Sequence, residues 1–358
     1  MAKMKRKLLI FQNDISSYSV PVYNIIAERY DLTVAYYNKD KSKEDCHFNK
    51  IQLRPICFKN IRIVKGVYRL AKLFDVVSFL PDLHTLSYWT LPFLPRRFKV
   101  VSWSIGFRCS YKHPYDVHRK HTFLDHIFLK ILSRCDTSIF YMEKAKEFWS
   151  ETKLDLDRIF VAPNTTKVLP LDKIEKEKQD FLFVGTLYKG KGLDNLLNSF
   201  YEAVVAFGIH NQLHIIGEGS ERIKLEEFVT THQLNDKVFF HGAIYDEKQL
   251  ASYFSKSLIC ISPTQAGLSV PKSMGYSVPF VTRRDAITGG ELYHITPGKN
   301  GVLYDNDVEL VSILVDASNN PTKYLEMGAS AKRYYDNYAT VANMARGALS
   351  AFDYAINK

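Results

Sequence analysis

The chain has 358 residues, 46% hydrophobic and 13% aromatic, with few Gly or Pro, a composition that excludes a disordered or fibrous protein. Its length exceeds what one hydrophobic core usually supports, so two domains of roughly 150 to 180 residues are expected. The net charge of +10 is concentrated: Arg54 to Lys130 holds 14 Lys plus Arg against 4 Asp plus Glu, and the rest balances. This basic stretch, interleaved with aromatics such as Phe74, Trp89 and Phe107, reads either as a solvated face or as a surface for an anionic membrane, a phosphorylated acceptor or nucleic acid. Nucleic acid is the disfavoured partner, because no RNA- or DNA-binding motif is present.

No apolar run approaches the roughly 20 residues of a membrane span. The opening MAKMKRKLLIF runs straight into a strand pattern, which predicts a cytoplasmic protein. The five cysteines are scattered without C-x-x-C spacing, as expected of reduced packing thiols with no zinc site.

Apolar runs alternate with helix-like stretches in two successive sets, the βαβα pattern of parallel-sheet domains. In the first set, strands are predicted at Lys7–Phe11, Leu32–Tyr37, Val76–Phe79, Lys99–Trp103, Thr137–Tyr141 and Arg158–Ala162, with a helix over Tyr18–Arg29. The polar, charged segment Leu169–Gln179 reads as an exposed interdomain linker. Beyond it, strands are predicted at Phe181–Gly185, Leu213–Gly217, Val238–Gly242, Leu258–Ser262 and Pro279–Thr282. Helices are predicted over Leu193–Ala206, Glu221–Thr230 and Glu247–Phe254. Each of these strands but the last ends at Gly or Ser, and ligands of such sheets sit outside the carboxyl ends of the strands.

Three of these turns carry chemistry. Gly185-Thr-Leu-Tyr-Lys189-Gly-Lys191-Gly192 joins glycines that admit a close backbone to two lysines that offer positive charge; it outlines a phosphate site, or else an ordinary turn with surface lysines. It lacks Walker A spacing. Ile216-Gly217-Glu218-Gly219-Ser220 is tight-turn chemistry before a helix. In Gly267-Leu268-Ser269-Val-Pro271-Lys272, Ser269 suits an N-cap with Pro271 just inside, which would leave backbone N–H groups near Leu268 to Val270 for an anion.

Together, in this order, FLFVGTLYKGKGLDNLLNSF, LHIIGEGSE, VFFHGAIYDEKQLASYF, ISPTQAGLSVPKSMGYSVPFVT and GKNGVLYDND resemble the family-4 glycosyltransferases of the GT-B fold. The resemblance implies an α/β architecture of two Rossmann-like domains facing across a cleft. Residues 1–169 would bind the acceptor, residues 176–331 the nucleotide-sugar donor, and 332–358 would form a helical segment crossing back to the first domain. It further implies transfer of a sugar from a nucleotide diphosphate, UDP or GDP, to a saccharide or lipid-linked acceptor of surface polysaccharide assembly. Retention of configuration, no cofactor and no metal are expected. Gly185, Lys189, Lys191, Gly217, Glu218, Gly267, Leu268, Ser269 and Lys272 fall at the donor positions. Lys189, Lys191 and the helix start at Ser269 would stabilise the departing diphosphate.

Three departures stand out. The family's two glutamates, seven residues apart, meet Thr264 and Lys272, and its Arg after the first glycine meets Thr186. A His common after a first-domain strand has no match at Trp103-Ser-Ile105-Gly106. A substitute carboxylate is therefore expected, and Glu291 in Thr288-Gly-Gly290-Glu291 is the candidate, the alternative being a loop residue or the first-turn acid of a short helix. Asn13 and Asp14 would line the acceptor side, with Asp14 either orienting the attacking hydroxyl or capping its own turn. A nucleotide-sugar epimerase and a non-catalytic sugar-nucleotide binder are the alternative functions.

His113, His118, His121 and His126 crowd together, and His118 with His121 would share a helix face, but Pro114 and the intervening basic residues disfavour a metal. The pairs Asp155/Asp157 and Asp305/Asp307 read as caps of loops or helix starts rather than metal ligands.

Overall fold

The computed structural model describes residues 5–82, 84–109, 115–170 and 178–358. They form two compact units. The first is built from residues 5–109, 115–166 and 340–358, the second mainly from residues 167–339.

In the first unit the chain runs β1 (Lys7–Gln12), α1 (Val20–Arg29), β2 (Asp31–Tyr36), β3 (Asn49–Gln52), β4 (Pro55–Phe58), β5 (Ile61–Val64), α2 (Val67–Ala71), β6 (Val76–Phe79), α3 (Leu86–Trp89), β7 (Lys99–Ser104), α4 (Phe123–Arg134), β8 (Thr137–Phe140) and β9 (Ile159–Val161). Seven strands make one parallel sheet in the order β3-β2-β1-β6-β7-β8-β9, while β4 and β5 form a separate antiparallel hairpin. Because side chains alternate across a strand, the continuous apolar run of β1 divides between two cores. Leu8 and Ile10 join α1 residues such as Ile26 on one face. Leu9 and Phe11 meet Phe79, Tyr88 and Val100 on the other.

In the second unit the order is β10 (Asp180–Val184), α5 (Leu193–Phe207), β11 (Leu213–Ile216), α6 (Arg222–Thr231), β12 (Val238–Phe240), α7 (Glu247–Lys256), β13 (Ser257–Ile261), β14 (Gln265–Ala266), α8 (Ser269–Gly275), β15 (Phe280–Arg283), β16 (Ile287–Thr288), β17 (Gly301–Tyr304), α9 (Asp307–Asn319) and α10 (Pro321–Tyr338). Six strands form a parallel sheet in the order β12-β11-β10-β13-β15-β17. The same division recurs: Phe181 and Phe183 of β10 pack with Leu196, Phe200, Leu310 and Leu314. Leu182 packs with Phe254, Met274, Tyr276 and Tyr335 on the opposite face.

The last helix, α11 (Val341–Asn357), belongs to the first unit, where Ala348 and Phe352 close the core over α1 and the sheet. Residues 332–338 lie instead inside α10 and stay with the second unit, which ends at Ala339. The division between units falls between Thr166 and Lys167. Of the segment read as a linker, residues 171–177 lie outside the described residues, and its two ends are not free-standing. Leu169 donates its N–H to the Tyr276 hydroxyl, and Lys178 is buried with its ammonium on the carbonyls of Tyr276 and Ser277 at 3.0 and 3.1 Å. Lys178 there satisfies carbonyls left open where α8 ends, as basic side chains near helix C-termini do.

Candidate functional site

Every βα turn of the second sheet opens on the same edge, and the three glycine-containing turns foreseen from sequence lock to one another there. Their glycines do different things. A Cβ on Gly217 would stand 1.8 Å from the Gly185 carbonyl oxygen, and one on Gly219 would stand 2.1 Å from that of Leu187. Both are needed so that the first turn lies directly on the second, an arrangement fastened by Gly185 N–H to Ile216 O and Leu187 N–H to Glu218 O, each 2.9 Å. Gly267 differs, since a Cβ there would meet nothing within 4 Å and its surroundings are open.

The third turn is held to the first by Thr264. Its hydroxyl donates to the Gly190 carbonyl at 2.6 Å, and its methyl lies where a Cβ on Gly192 would come within 2.7 Å. Gly192, at φ 67°, takes the left-handed conformation that the tight entry to α5 requires. The Gln265 amide donates to the Tyr188 hydroxyl, and β14 pairs with β16, so the turn after β15 joins the same assembly.

Against this backbone the charges are unequal. Glu218 pairs with Arg222, Arg283 with Asp285 and Arg284 with Asp305. Lys272 gives two hydrogen bonds to Glu247, at 2.6 and 2.9 Å. Lys189 and Lys191, on the short turn entering α5, have no carboxylate partner among the described residues. Lys189 is exposed. Lys191 is half-buried, its stem over Gly185, and burial holds its ammonium below the usual lysine range. A desolvated cation with no anion beside it is an arrangement that a bound anion stabilises.

The Ser269 cap is not formed, and three other residues expected at the donor site have partners within the chain. Ser269 is the first residue of α8 and Leu268 its cap, with no side-chain capping bond; the N–H of Val270 is already taken by the Gly267 carbonyl at 2.9 Å. The helix start is therefore a poorer anion site than its sequence suggests. Lys272 is neutralised by Glu247 and has no charge to spare. Glu218 is exposed and committed to Arg222. Glu291 is 4% exposed, and its carboxylate accepts from the Gly289 N–H at 2.9 Å and the Thr288 hydroxyl at 3.2 Å. It therefore organises its own turn.

In the first unit, Asn13 and Asp14 leave β1 at its carboxyl end and both engage the chain after β2. The Asn13 side-chain oxygen accepts from the Tyr37 hydroxyl at 2.6 Å, while Asp14 accepts from the Lys39 N–H at 3.0 Å and pairs with Lys41. The Asp14 carboxylate caps this loop. His118 and His121 precede α4 and share no helix face. His121 Nε2 lies 2.7 Å from the Phe148 carbonyl and His126 Nδ1 2.9 Å from that of Thr122. His113 lies outside the described residues. Among the described residues no three His, Cys, Asp or Glu side chains gather as metal ligands. Asp155 caps a 3-10 turn, as expected, and Asp305 pairs with Arg284.

Glu247 and the anchoring role of Thr264 are the residues sequence reasoning missed. Glu247 stands in the first turn of α7 behind the cap Asp246, where an acid is ordinarily explained by the helix dipole. Only the fold reveals its partner.

Comparison with known proteins agrees with this architecture. Residues 178–320 match the family described as "Glycosyl transferases group 1". The chain is 28% identical over 212 residues to an uncharacterized glycosyltransferase of Haemophilus influenzae, covering 58% of each chain. It is 23% identical over 157 residues to the alpha-monoglucosyldiacylglycerol synthase of Acholeplasma laidlawii, covering 42% of this chain and 38% of that one. The matches thus span less than two thirds of these curated relatives. Among solved structures, Anabaena HepE in complex with UDP superposes over 97% of this chain and 99% of its own, with a TM-score of 0.71 at 14% identity. The fold is GT-B.

Proposed function

We propose that this chain, whose residues 178–320 match the glycosyl transferases group 1 family, moves a sugar from a nucleotide diphosphate-sugar, with UDP or GDP as the nucleotide, to a saccharide or lipid-linked acceptor of surface polysaccharide assembly. One observation carries the reading. Lys191 is a half-buried ammonium without a carboxylate partner among the described residues, set with Lys189 where a strand of a parallel sheet turns into a helix. Such an edge is where nucleotide phosphates bind, and the two lysines supply the counter-charge a departing diphosphate needs. The relatives fit: HepE was solved with UDP, and the Acholeplasma protein is named as the synthase of a glycolipid. Transfer with retention of configuration, without a metal, is the proposed course. The basic segment Arg54 to Lys130 provides a peripheral contact with an anionic membrane at its cytoplasmic face.

One observation favours a second reading, that of a non-catalytic sugar-nucleotide binder. Neither Thr264 nor Lys272 supplies a carboxylate, and Glu291 is engaged in its own turn. Nucleotide release separates the two readings. Release from UDP- or GDP-sugars that depends on an added acceptor supports the transferase. Tight nucleotide binding without release under any acceptor supports the binder, and free sugar formed without an acceptor supports an epimerase of the same fold.

A further inference from the structure

The β4–β5 hairpin of the first unit has one apolar face that stays exposed among the described residues. Its register places Ile56 opposite Ile63 and Phe58 opposite Ile61, so alternation along both strands turns all four side chains to one side. They are 50%, 48%, 71% and 41% exposed in that order. An isolated hairpin has no stability to spare for such exposure. Here the backbone is pinned from its other edge, by Arg62 N–H to the His84 carbonyl at 2.6 Å, Val64 N–H to the Ser87 hydroxyl at 2.9 Å and Arg62 to Asp82. These contacts hold the hairpin with that face outward.

Charge identifies what covers it. From Cys46 to Phe74 the sequence has seven Lys plus Arg and no Asp or Glu. Lys50 and Arg62 pair with Asp40 and Asp82, whereas Arg54, Lys59, Lys65 and Arg69 have no carboxylate partner among the described residues. Lys59 is in the two-residue turn at the hairpin tip, beside Phe58. The helix that follows the hairpin, α2, is succeeded by exposed Leu73. An apolar sheet face fringed by unpaired cations matches the boundary between acyl chains and anionic headgroups.

We propose that the β4–β5 hairpin inserts Ile56, Phe58, Ile61 and Ile63 into the outer acyl region of an anionic bilayer, with Arg54, Lys59 and Lys65 on the headgroups. The inference rests on the peripheral membrane contact proposed above and names the element that makes it. Among the described residues no helix is long and apolar enough to cross a membrane.

The test uses the full chain with vesicles of phosphatidylcholine alone or mixed with phosphatidylglycerol. Co-sedimentation is expected only with the mixed vesicles. Phe58→Ser combined with Ile63→Ser should weaken it by about tenfold or more, given the apolar area withdrawn from the lipid. Phe58→Trp should keep binding, and its fluorescence should be quenched by brominated acyl chains. Thermal unfolding and the shift produced by UDP should be the same in all variants, since the substituted side chains are exposed. Binding that is unchanged by the double substitution, with no quenching of the Phe58→Trp protein, overturns the insertion and leaves the electrostatic contact standing. Failure to bind mixed vesicles at all overturns both. A wild-type dimer that the double substitution dissociates, without any change in vesicle binding, also overturns the proposal by assigning the face to a second copy of the chain.

Discussion

Lys272 donates to both carboxylate oxygens of Glu247, joining α8 to the first turn of α7 at the carboxyl edge of the second sheet. The position where the resembling family has a glutamate thus carries a cation that the neighbouring helix neutralises. The lysine side chain is 13% exposed and the glutamate 42%, so losing the acid strands a largely desolvated ammonium. A double-mutant cycle of Lys272→Met and Glu247→Gln should give a coupling of about 1 kcal/mol in urea unfolding, with Glu247→Gln alone costing more than the pair together. Additive effects would show the two side chains to be uncoupled.

Gly217→Ala and Gly219→Ala should each destabilise the protein by about 3 kcal/mol or more, since a Cβ at either place runs into backbone rather than a movable side chain. Gly267→Ala, in open space, should change stability little. Thermal unfolding of the three variants measures the contrast. Equal melting temperatures would mean that the first two turns are not stacked as described.

Glu291→Gln should lower stability by about 1 to 2 kcal/mol, because its acceptor pairing with the Gly289 N–H and the Thr288 hydroxyl loses its charge in a buried setting. Any fall in turnover should follow the fraction folded, and donor affinity at a temperature where the variant is folded should be near normal. A large loss of donor affinity in a folded protein would return Glu291 to the donor site.

The parts of this fold legible in sequence are those written as periodicity. FLFVG, LHIIG and LICIS are apolar runs bounded by Gly or Ser, and each became an inner parallel strand with its turn at the carboxyl edge. The β4–β5 hairpin was not legible, because its strands are four residues each and put their isoleucines and phenylalanine outward, against the usual pattern. The capping signal at Ser269 misled by one residue, since the tight turn at Gly267 already bonds Val270. The charge of Lys272 was visible but its partner was not, as Glu247 is 25 residues away and only the packing of α7 beside α8 unites them. The positive charge of Lys191 at a strand-to-helix turn was legible; its burial was not.

Lys178 should contribute stability that rises with pH through an alkaline window, against the opposite contribution of the Cys135 and Cys260 thiols, which burial pushes up so that the unfolded chain loses those protons first. Burial pulls the Lys178 ammonium from the ordinary 10.5 to about 8. Between those values the unfolded chain keeps a proton that the folded chain has released, so the folded state gains as pH rises, is favoured fully above 10.5 and loses the gain as pH falls through 8. The whole excursion is about 3 kcal/mol. Urea unfolding at successive pH values should show a more positive slope in the wild type than in Lys178→Met, the difference between the two being the contribution of Lys178. Parallel slopes would contradict the assignment.

Calorimetric titration of UDP and GDP into the wild type and Lys191→Met tests the central claim most directly. Removing this ammonium should weaken binding of the preferred nucleotide by roughly tenfold to a hundredfold, the worth of about 1.5 to 3 kcal/mol for a charged hydrogen-bond donor to phosphate. The apo protein should be as stable or more so, because a desolvated charge has been taken away. Lys189→Met should show a smaller loss, its side chain being exposed. Unchanged affinity in a folded Lys191→Met protein would contradict the donor-site account.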